Sequence, residues 1–212
     1  MQRQAVITPR EAAWIAVFAI VLVWSGIEPK DTVTWMLEVA PAVVGAAILL
    51  ATRKRFPLTR LTYALILIHC VILMVGGHYT YAEVPVGEWF RDLFDPPRNN
   101  YDKLGHLAQG FIPAIITREV VIRLNVFNSV RWRNFFIVCF CLAVSAFYEL
   151  IEWWVALMSD EAADAFLGMQ GYVWDTQSDM FVALVGAILA LVSLGRVHDR
   201  QLDQRGRTNT RV

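Results

Sequence analysis

The apolar positions of this chain do not recur at an amphipathic period. They form long blocks separated by short polar stretches, the pattern of membrane spans rather than of surface helices. Blocks at 11–27, 32–51, 60–76, 102–123, 134–158 and 175–196 are each long enough for a helix to cross about 30 Å of hydrocarbon. The pattern predicts an all-α fold, a polytopic membrane helix bundle of about six transmembrane helices. The fourth block is the most polar, with Lys103, His106, Gln109, Arg118 and Glu119, yet its middle, 110–116, is apolar. One bundle domain is expected over 1–198, followed by a mobile, basic cytoplasmic tail over 199–212. Residues 87–94 read as a short amphipathic helix that lays Trp89, Phe90, Leu93 and Phe94 against the bilayer edge, and 161–167 as a second such piece.

Composition agrees with the pattern. Of 212 residues, 57% are hydrophobic and 18% charged, more apolar surface than a soluble domain of this length carries. Net charge is zero, so no bulk charge points to nucleic acid. Cys70, Cys139 and Cys141 all lie inside apolar blocks, which excludes a disulfide framework and reads as packing thiols. The first block follows Arg3 and Arg10 as a signal peptide would, but no convincing small-residue cleavage pattern follows, so it reads as a retained helix.

The placement of charge gives an orientation. Basic residues gather before the first block (Arg3, Arg10), between the second and third (Arg53, Lys54, Arg55, Arg60), between the fourth and fifth (Arg118, Arg123, Arg131, Arg133) and in the tail (Arg196, Arg200, Arg205, Arg207, Arg211). These segments alternate correctly for one side, which makes both termini cytoplasmic. The intervening segments are poorer in base, and 159–175 is acidic, with Asp160, Glu161 and Asp164. The acidic segments are expected to face the outer side of the membrane. Tyr and Trp crowd that side, as in an interfacial aromatic belt.

Ionisable residues gather there too. Asp102 and His106 stand at i, i+4, Asp175 and Asp179 at i, i+4, and Glu149 and Glu152 at i, i+3, so each pair shares one helical face. His106 lies about 6 Å into the fourth helix and Glu149 about 22 Å along the fifth from its inner end. Glu38 falls about two turns below the outer surface. Acids so placed are costly unless they face one another, a water cavity or a cation, and a divalent metal would relieve both desolvation and repulsion. Arg91, Arg98 and Lys103 are the other available counter-charges. Plainer readings stand beside this one. Asp102 and Asp175 also suit helix starts, Glu152 a solvated headgroup level, Glu149 and Asp179 a buried pair, and His106 a neutral, satisfied ring. His69 reads as packing, His78 as a ligand or headgroup contact, and His198 receives no role.

Four segments carry a family resemblance: Gly77-His78-Tyr79-Thr80-Tyr81-Ala82-Glu83-Val84-Pro85, Tyr101-Asp102-Lys103-Leu104-Gly105-His106, Tyr148-Glu149-Leu150-Ile151-Glu152-Trp153 and Trp174-Asp175-Thr176-Gln177-Ser178-Asp179-Met180. With them the chain resembles the YjdF-like family of bacterial inner-membrane proteins. It is more distantly similar to the VanZ-like envelope proteins, which place Asp-Lys-x-x-His at one helix head, then a Glu, then Asp residues opening the last helix. The resemblance implies six helices and carries over no reaction.

The expected function is that of a metal-dependent membrane hydrolase acting on a lipid or lipid-linked substrate at the outer leaflet. Asp102, His106, Glu149, Asp175 and Asp179 would hold divalent metal, with Glu152 as general base and His78 as a second catalytic group. His78, Arg91 or Lys103 would hold an anionic headgroup. Neither a K-x6-R-P motif nor a Ser-Gly-His motif is present, which disfavours an acid-phosphatase-like lipid phosphatase. The expected partners are membrane lipid, the lipid or lipid-linked substrate and, by self-association, a homo-oligomer. A proton- or ion-coupled transporter and a non-catalytic envelope protein with a structural polar cluster are the alternatives.

Overall fold

A computed structural model describes residues 8–94, 98–158 and 172–209. Among them there are seven α-helices and no strand: α1 Pro9–Ser25, α2 Thr32–Thr52, α3 Arg60–Tyr79, α4 Pro85–Phe94, α5 Tyr101–Arg123, α6 Val130–Met158 and α7 Asp175–Asn209, with one 3₁₀ turn at Tyr81–Glu83 between α3 and α4. The starts are written locally. Thr8 and Glu11 form a reciprocal capping box with Pro9 at the first helical position of α1, and Asp31 and Thr59 cap α2 and α3 by accepting from Thr34 N and Thr62 N. Each cap satisfies an N–H that the helix itself leaves unpaired.

Helices α2, α3, α6 and α7 are long and apolar enough to cross a membrane. Helix α1 has 17 residues, about 25 Å at 1.5 Å per residue, and α5 carries five Asp, Glu, Lys or Arg residues. The expected helix of 87–94 is present as α4, with Trp89, Phe90 and Leu93 exposed. The second expected interfacial piece, 161–167, lies outside the described residues, as do Arg3, Arg211 and the acids Asp160, Glu161 and Asp164.

Helices α5 and α7 form the closest pair in the bundle. Small residues permit it. Ala183, Ala187 and Ala190 of α7 and Ala114 of α5 are fully buried, and a Cβ on Gly110 or Gly186 would collide with the carbonyl oxygen of Ala183 or Leu107. Small residues spaced by three and four are how membrane helices bring their backbones together, since lipid supplies no hydrophobic drive between them. Helix α6 packs on both members of the pair, α3 packs on α5, and α1 and α2 pack on α3. Two apolar clusters result, one between α2, α3 and α5 around Met74, the other between α5, α6 and α7 around Ile115 and Ile137.

Helix α7 does not stop where the tail was expected to begin at residue 199. It runs to Asn209, and its last turns bond to the α2–α3 connection. Gln201 Oε1 accepts from Leu61 N at 3.0 Å, and Arg205 donates to the Pro57 carbonyl.

Candidate functional site

The bundle holds two polar clusters, one at each end of α5. At the α5 N-terminus, Asn99 is fully buried and binds Val84 O, Glu88 Oε1 and Tyr101 N. It thereby staples α4 to α5 and sets Arg98 beside α7. Arg98 Nη2 lies 2.6 Å from Asp175 Oδ1, and Lys103 Nζ lies 2.7 Å from Asp175 and 2.5 Å from Asp179. The Tyr172 ring covers both cations, at 5.2 Å from Arg98 and 5.8 Å from Lys103. Asp175 opens α7, as its sequence position suggests, but its carboxylate is committed to these cations. Lys103, expected to meet a headgroup, pairs with two carboxylates of α7.

On the other side of α5 the balance of charge reverses. His106 Nε2 is 3.4 Å from Asp102 Oδ1 and 3.7 Å from Glu149 Oε1. Two trios share this ring. Ligand atoms of Asp102, His106 and Asp179, and likewise of His106, Glu149 and Glu152, lie within 4.8 Å of one another. His106, Glu149 and Glu152 are 5%, 8% and 9% exposed. Among the described residues His106 Nδ1, Glu149 Oε1 and Gln109 Oε1 have no hydrogen-bond partner. Buried polar atoms are rarely left so, and one left in low dielectric costs about 1–3 kcal/mol.

Of these groups, Asp102, His106, Gln109 and Glu152 line a cavity of about 170 Å³ walled by α2, α3, α5, α6 and the 3₁₀ turn. Glu38 of α2, 3% exposed, accepts from the Tyr148 hydroxyl at 2.9 Å across from His106. Tyr81 fits its ring against Gly105, where a Cβ would stand 2.8 Å from the ring. Burial pushes the Tyr81 phenol well above the ordinary tyrosine range, so it serves the wall as a neutral donor. Pro41 and Pro113 interrupt α2 and α5 at this wall, each removing the N–H that would bond the carbonyl four residues earlier. His69, expected to be a packing residue, also lines the cavity.

The expected ligands are therefore divided. Asp102, His106 and Glu152 line the cavity, Glu149 and Asp179 lie beside His106, and Asp175 is held by Arg98 and Lys103. His78 is elsewhere. Its ring packs on Trp24 at 4.6 Å and its Nδ1 meets Ser25 O at 3.1 Å, in the corner between α1 and α3. Arg91 pairs with Glu88 on its own helix. Glu38, Tyr81 and Tyr148 complete the wall, and of these only the depth of Glu38 was visible in the pattern.

At the α5 C-terminus the second cluster is saturated. Glu119 accepts from Thr59 N at 2.8 Å, Thr59 Oγ1 at 2.8 Å, Thr62 Oγ1 at 2.7 Å, Arg123 at 3.2 Å and His198 Nε2 at 3.2 Å. His198 Nδ1 in turn accepts from Arg118 at 3.0 Å, and Arg118 reaches Asp199 at 2.6 Å. His198, given no role by its place in a basic stretch, is fully buried. The signal for it was the small-residue face of α7: Ala183, Ala187, Ala190 and Leu194 continue at helical spacing through His198 to Gln201 and Arg205.

Comparison with known proteins places this architecture. The family model described as "Predicted membrane protein (DUF2238)" matches residues 10–200. Inner membrane protein YjdF of Escherichia coli (strain K12) is 49% identical over 187 residues, which cover 88% of this chain and 90% of that protein. No solved structure matches. The chain belongs to the DUF2238 family of membrane proteins.

Proposed function

We propose that this member of the DUF2238 family is a metal-dependent membrane hydrolase that holds a divalent cation beside His106 and acts on a lipid or lipid-linked substrate at the outer leaflet. One observation carries the reading: His106, more than nine-tenths buried, lines the cavity with no hydrogen-bond partner on Nδ1, and the equally buried Glu149 lies beside it, outside the cavity lining, with no hydrogen-bond partner on Oε1. Of the two trios, Asp102–His106–Asp179 already has Lys103 at 2.5 Å from Asp179. His106–Glu149–Glu152 has no fixed cation in an ion pair among the described residues, so the ion belongs there. The donor set of one imidazole and two carboxylates suits a divalent first-row metal.

The remaining groups then take roles. Asp102 faces His106 Nε2 at 3.4 Å and would orient the ring through that nitrogen, leaving the unpartnered Nδ1 for the ion. A bound ion would supply Lewis acidity and a nucleophile at neutral pH. Glu38, fixed by Tyr148 across the cavity, is the carboxylate that takes a proton from water there, the task first assigned to Glu152. Tyr81 donates to a substrate oxygen.

The six-span topology belongs to the same proposal. In α5 the charged residues sit at the two ends, each group paired, and only His106 interrupts 104–117. The positive segments alternate along the chain, which puts both termini in the cytoplasm and the cavity near the outer face. The coupled-transporter reading is disfavoured by an apolar layer. Ala114, Ile115, Ile137, Cys141 and Ala187 are fully buried between the two polar clusters, and His106 and Glu119 are separated by roughly 20 Å along α5.

Metal analysis of protein purified in mild detergent without chelators tests the site. Roughly one divalent ion per chain is expected, lost in His106→Ala and Glu149→Gln and kept in His78→Ala. Stoichiometric absence of metal, with no uptake of zinc, manganese or magnesium in calorimetry, sinks the metal reading. Lipid turnover in vesicles, with Glu38→Gln inactive but metal-loaded, tests the hydrolase separately, and reporter fusions at both ends test the topology.

A further inference from the structure

A second cavity, of about 380 Å³, lies at the opposite end of the bundle between α1 and α2, with α3 as its floor. Its shape follows from how α1 and α2 meet. Near the α1–α2 turn they touch, where Trp35 Nε1 donates to Ser25 Oγ at 3.1 Å. Elsewhere each packs on α3 and not on the other, so they diverge and leave a wedge-shaped groove. Its walls are apolar: Trp14 and Val17 of α1, Leu49 and Leu50 of α2, Leu67 of α3. Trp14 is fixed in place by a hydrogen bond from Nε1 to Tyr63 O at 2.9 Å.

The rim differs from the walls. Arg10 in the first turn of α1, Arg53 at the end of α2 and Arg60 opening α3 all line the mouth. None of the three side chains has an ion pair or hydrogen bond among the described residues. Glu11, the acid of this rim, is engaged by Thr8 N at 2.8 Å. Two helix N-termini, those of α1 and α3, add their positive dipole ends at the same mouth. From the rim, each helix offers about 10 Å of apolar wall, as from Arg60 to Leu67 or from Arg53 to Ala46.

We propose that this groove binds one anionic glycerophospholipid, its acyl chain between α1 and α2 and its phosphate on Arg10, Arg53 and Arg60. An apolar slot alone would accept any lipid tail. Three guanidinium groups stand at its mouth against the single carboxylate of Glu11, which feels the charge of Arg53, and this positive excess selects the anionic headgroup, because guanidinium matches phosphate oxygens in pairs. This site is independent of the metal proposal and lies at the other end of the molecule.

The test uses full-length protein in phosphatidylcholine vesicles containing a minor fraction of lipid with brominated acyl chains, either phosphatidylglycerol or phosphatidylcholine. Trp14 fluorescence is isolated by difference from Trp14→Phe. Brominated phosphatidylglycerol is expected to quench Trp14 at much lower mole fraction than brominated phosphatidylcholine. Each arginine contributes about fivefold to that preference, from the usual attraction of a basic residue to an anionic lipid surface. Arg10→Gln/Arg53→Gln/Arg60→Gln should abolish it. Arg131→Gln/Arg196→Gln/Arg200→Gln, which removes the same charge from exposed positions outside the groove, should preserve it. Ala64→Phe, which fills the floor while keeping all three arginines, should protect Trp14 from both lipids. Equal quenching by the two lipids in the wild-type protein overturns the proposal, as does a preference lost equally in the groove and control triple variants.

Discussion

Replacing Glu119 with Gln keeps the shape of the buried side chain and removes only its charge, and the geometry says this will be expensive. One carboxylate oxygen accepts from Thr59 Oγ1, Thr62 Oγ1 and His198 Nε2, the other from Thr59 N and Arg123. An amide has one acceptor end. Whichever way it turns, its NH₂ group faces at least one donor that cannot become an acceptor: Thr59 N and Arg123 on one side, His198 Nε2 on the other, the His198 ring being held by Arg118 while the two threonine hydroxyls can rotate. Hydrogen bonds to a charged group contribute about 1.5–3 kcal/mol each in proteins. Measured values inside bilayers average about 0.6 kcal/mol, but this cluster sits at the helix ends, where Thr59 caps α3. Losing two such bonds and opposing their donors should cost about 3 kcal/mol. Equilibrium unfolding in mixed detergent–SDS micelles, followed by tryptophan fluorescence, measures it. Glu149→Gln is the companion, because Glu149 Oε1 has no hydrogen bond to lose and among the described residues meets only His106, at 3.7 Å. It should leave stability unchanged or raise it by up to about 1 kcal/mol, as expected where a site holds uncompensated charge for function. A Glu119→Gln variant within about 1 kcal/mol of wild type refutes the reasoning. So does a Glu149→Gln variant that is equally destabilised, which would make the cavity cluster structural.

Three further outcomes are expected. Gly110→Leu should destabilise the bundle by about 1–3 kcal/mol through overpacking against the Ala183 backbone, whereas Gly45→Ala, with nothing within 4 Å of the new Cβ, should be neutral or stabilising; the same unfolding assay compares them. Lys103→Met strips the nearest cation from Asp179 and leaves Asp175 with Arg98 alone, costing about 3–5 kcal/mol, and adding Asp179→Asn should recover part of that loss in a double-mutant cycle. His78→Ala should lower stability through its lost packing on Trp24 and Tyr79 while leaving lipid turnover intact, and abolished turnover at normal abundance would return His78 to the site.

Local sequence determined the helices because their signals are local. Apolar block length and the basic stretches between blocks placed six helix centres, and the amphipathic 87–94 segment announced α4. Spacing also showed that Asp102 with His106 and Glu149 with Glu152 share faces, since one helix fixes its own geometry. What no single helix could reveal was which face meets which neighbour. Gly110 and Gly186 let α5 and α7 close until Lys103 reached Asp175 and Asp179. That contact pairs Asp175 and Asp179 with Lys103 and leaves His106, Glu149 and Glu152 with no Lys or Arg in an ion pair among the described residues. Glu38 joined the cavity because α2 packs on α3 there, and His78 left it because Trp24 and Ser25 hold its ring in the α1 corner. His198 changed most, from an unassigned residue of a basic stretch to the buried centre of a network joining α5 and α7. Its partners Arg118 and Glu119 lie some eighty residues away in sequence. Charge compensation across such distances depends on helix rotation and separation, quantities set by packing, and therefore only the tertiary structure could decide it.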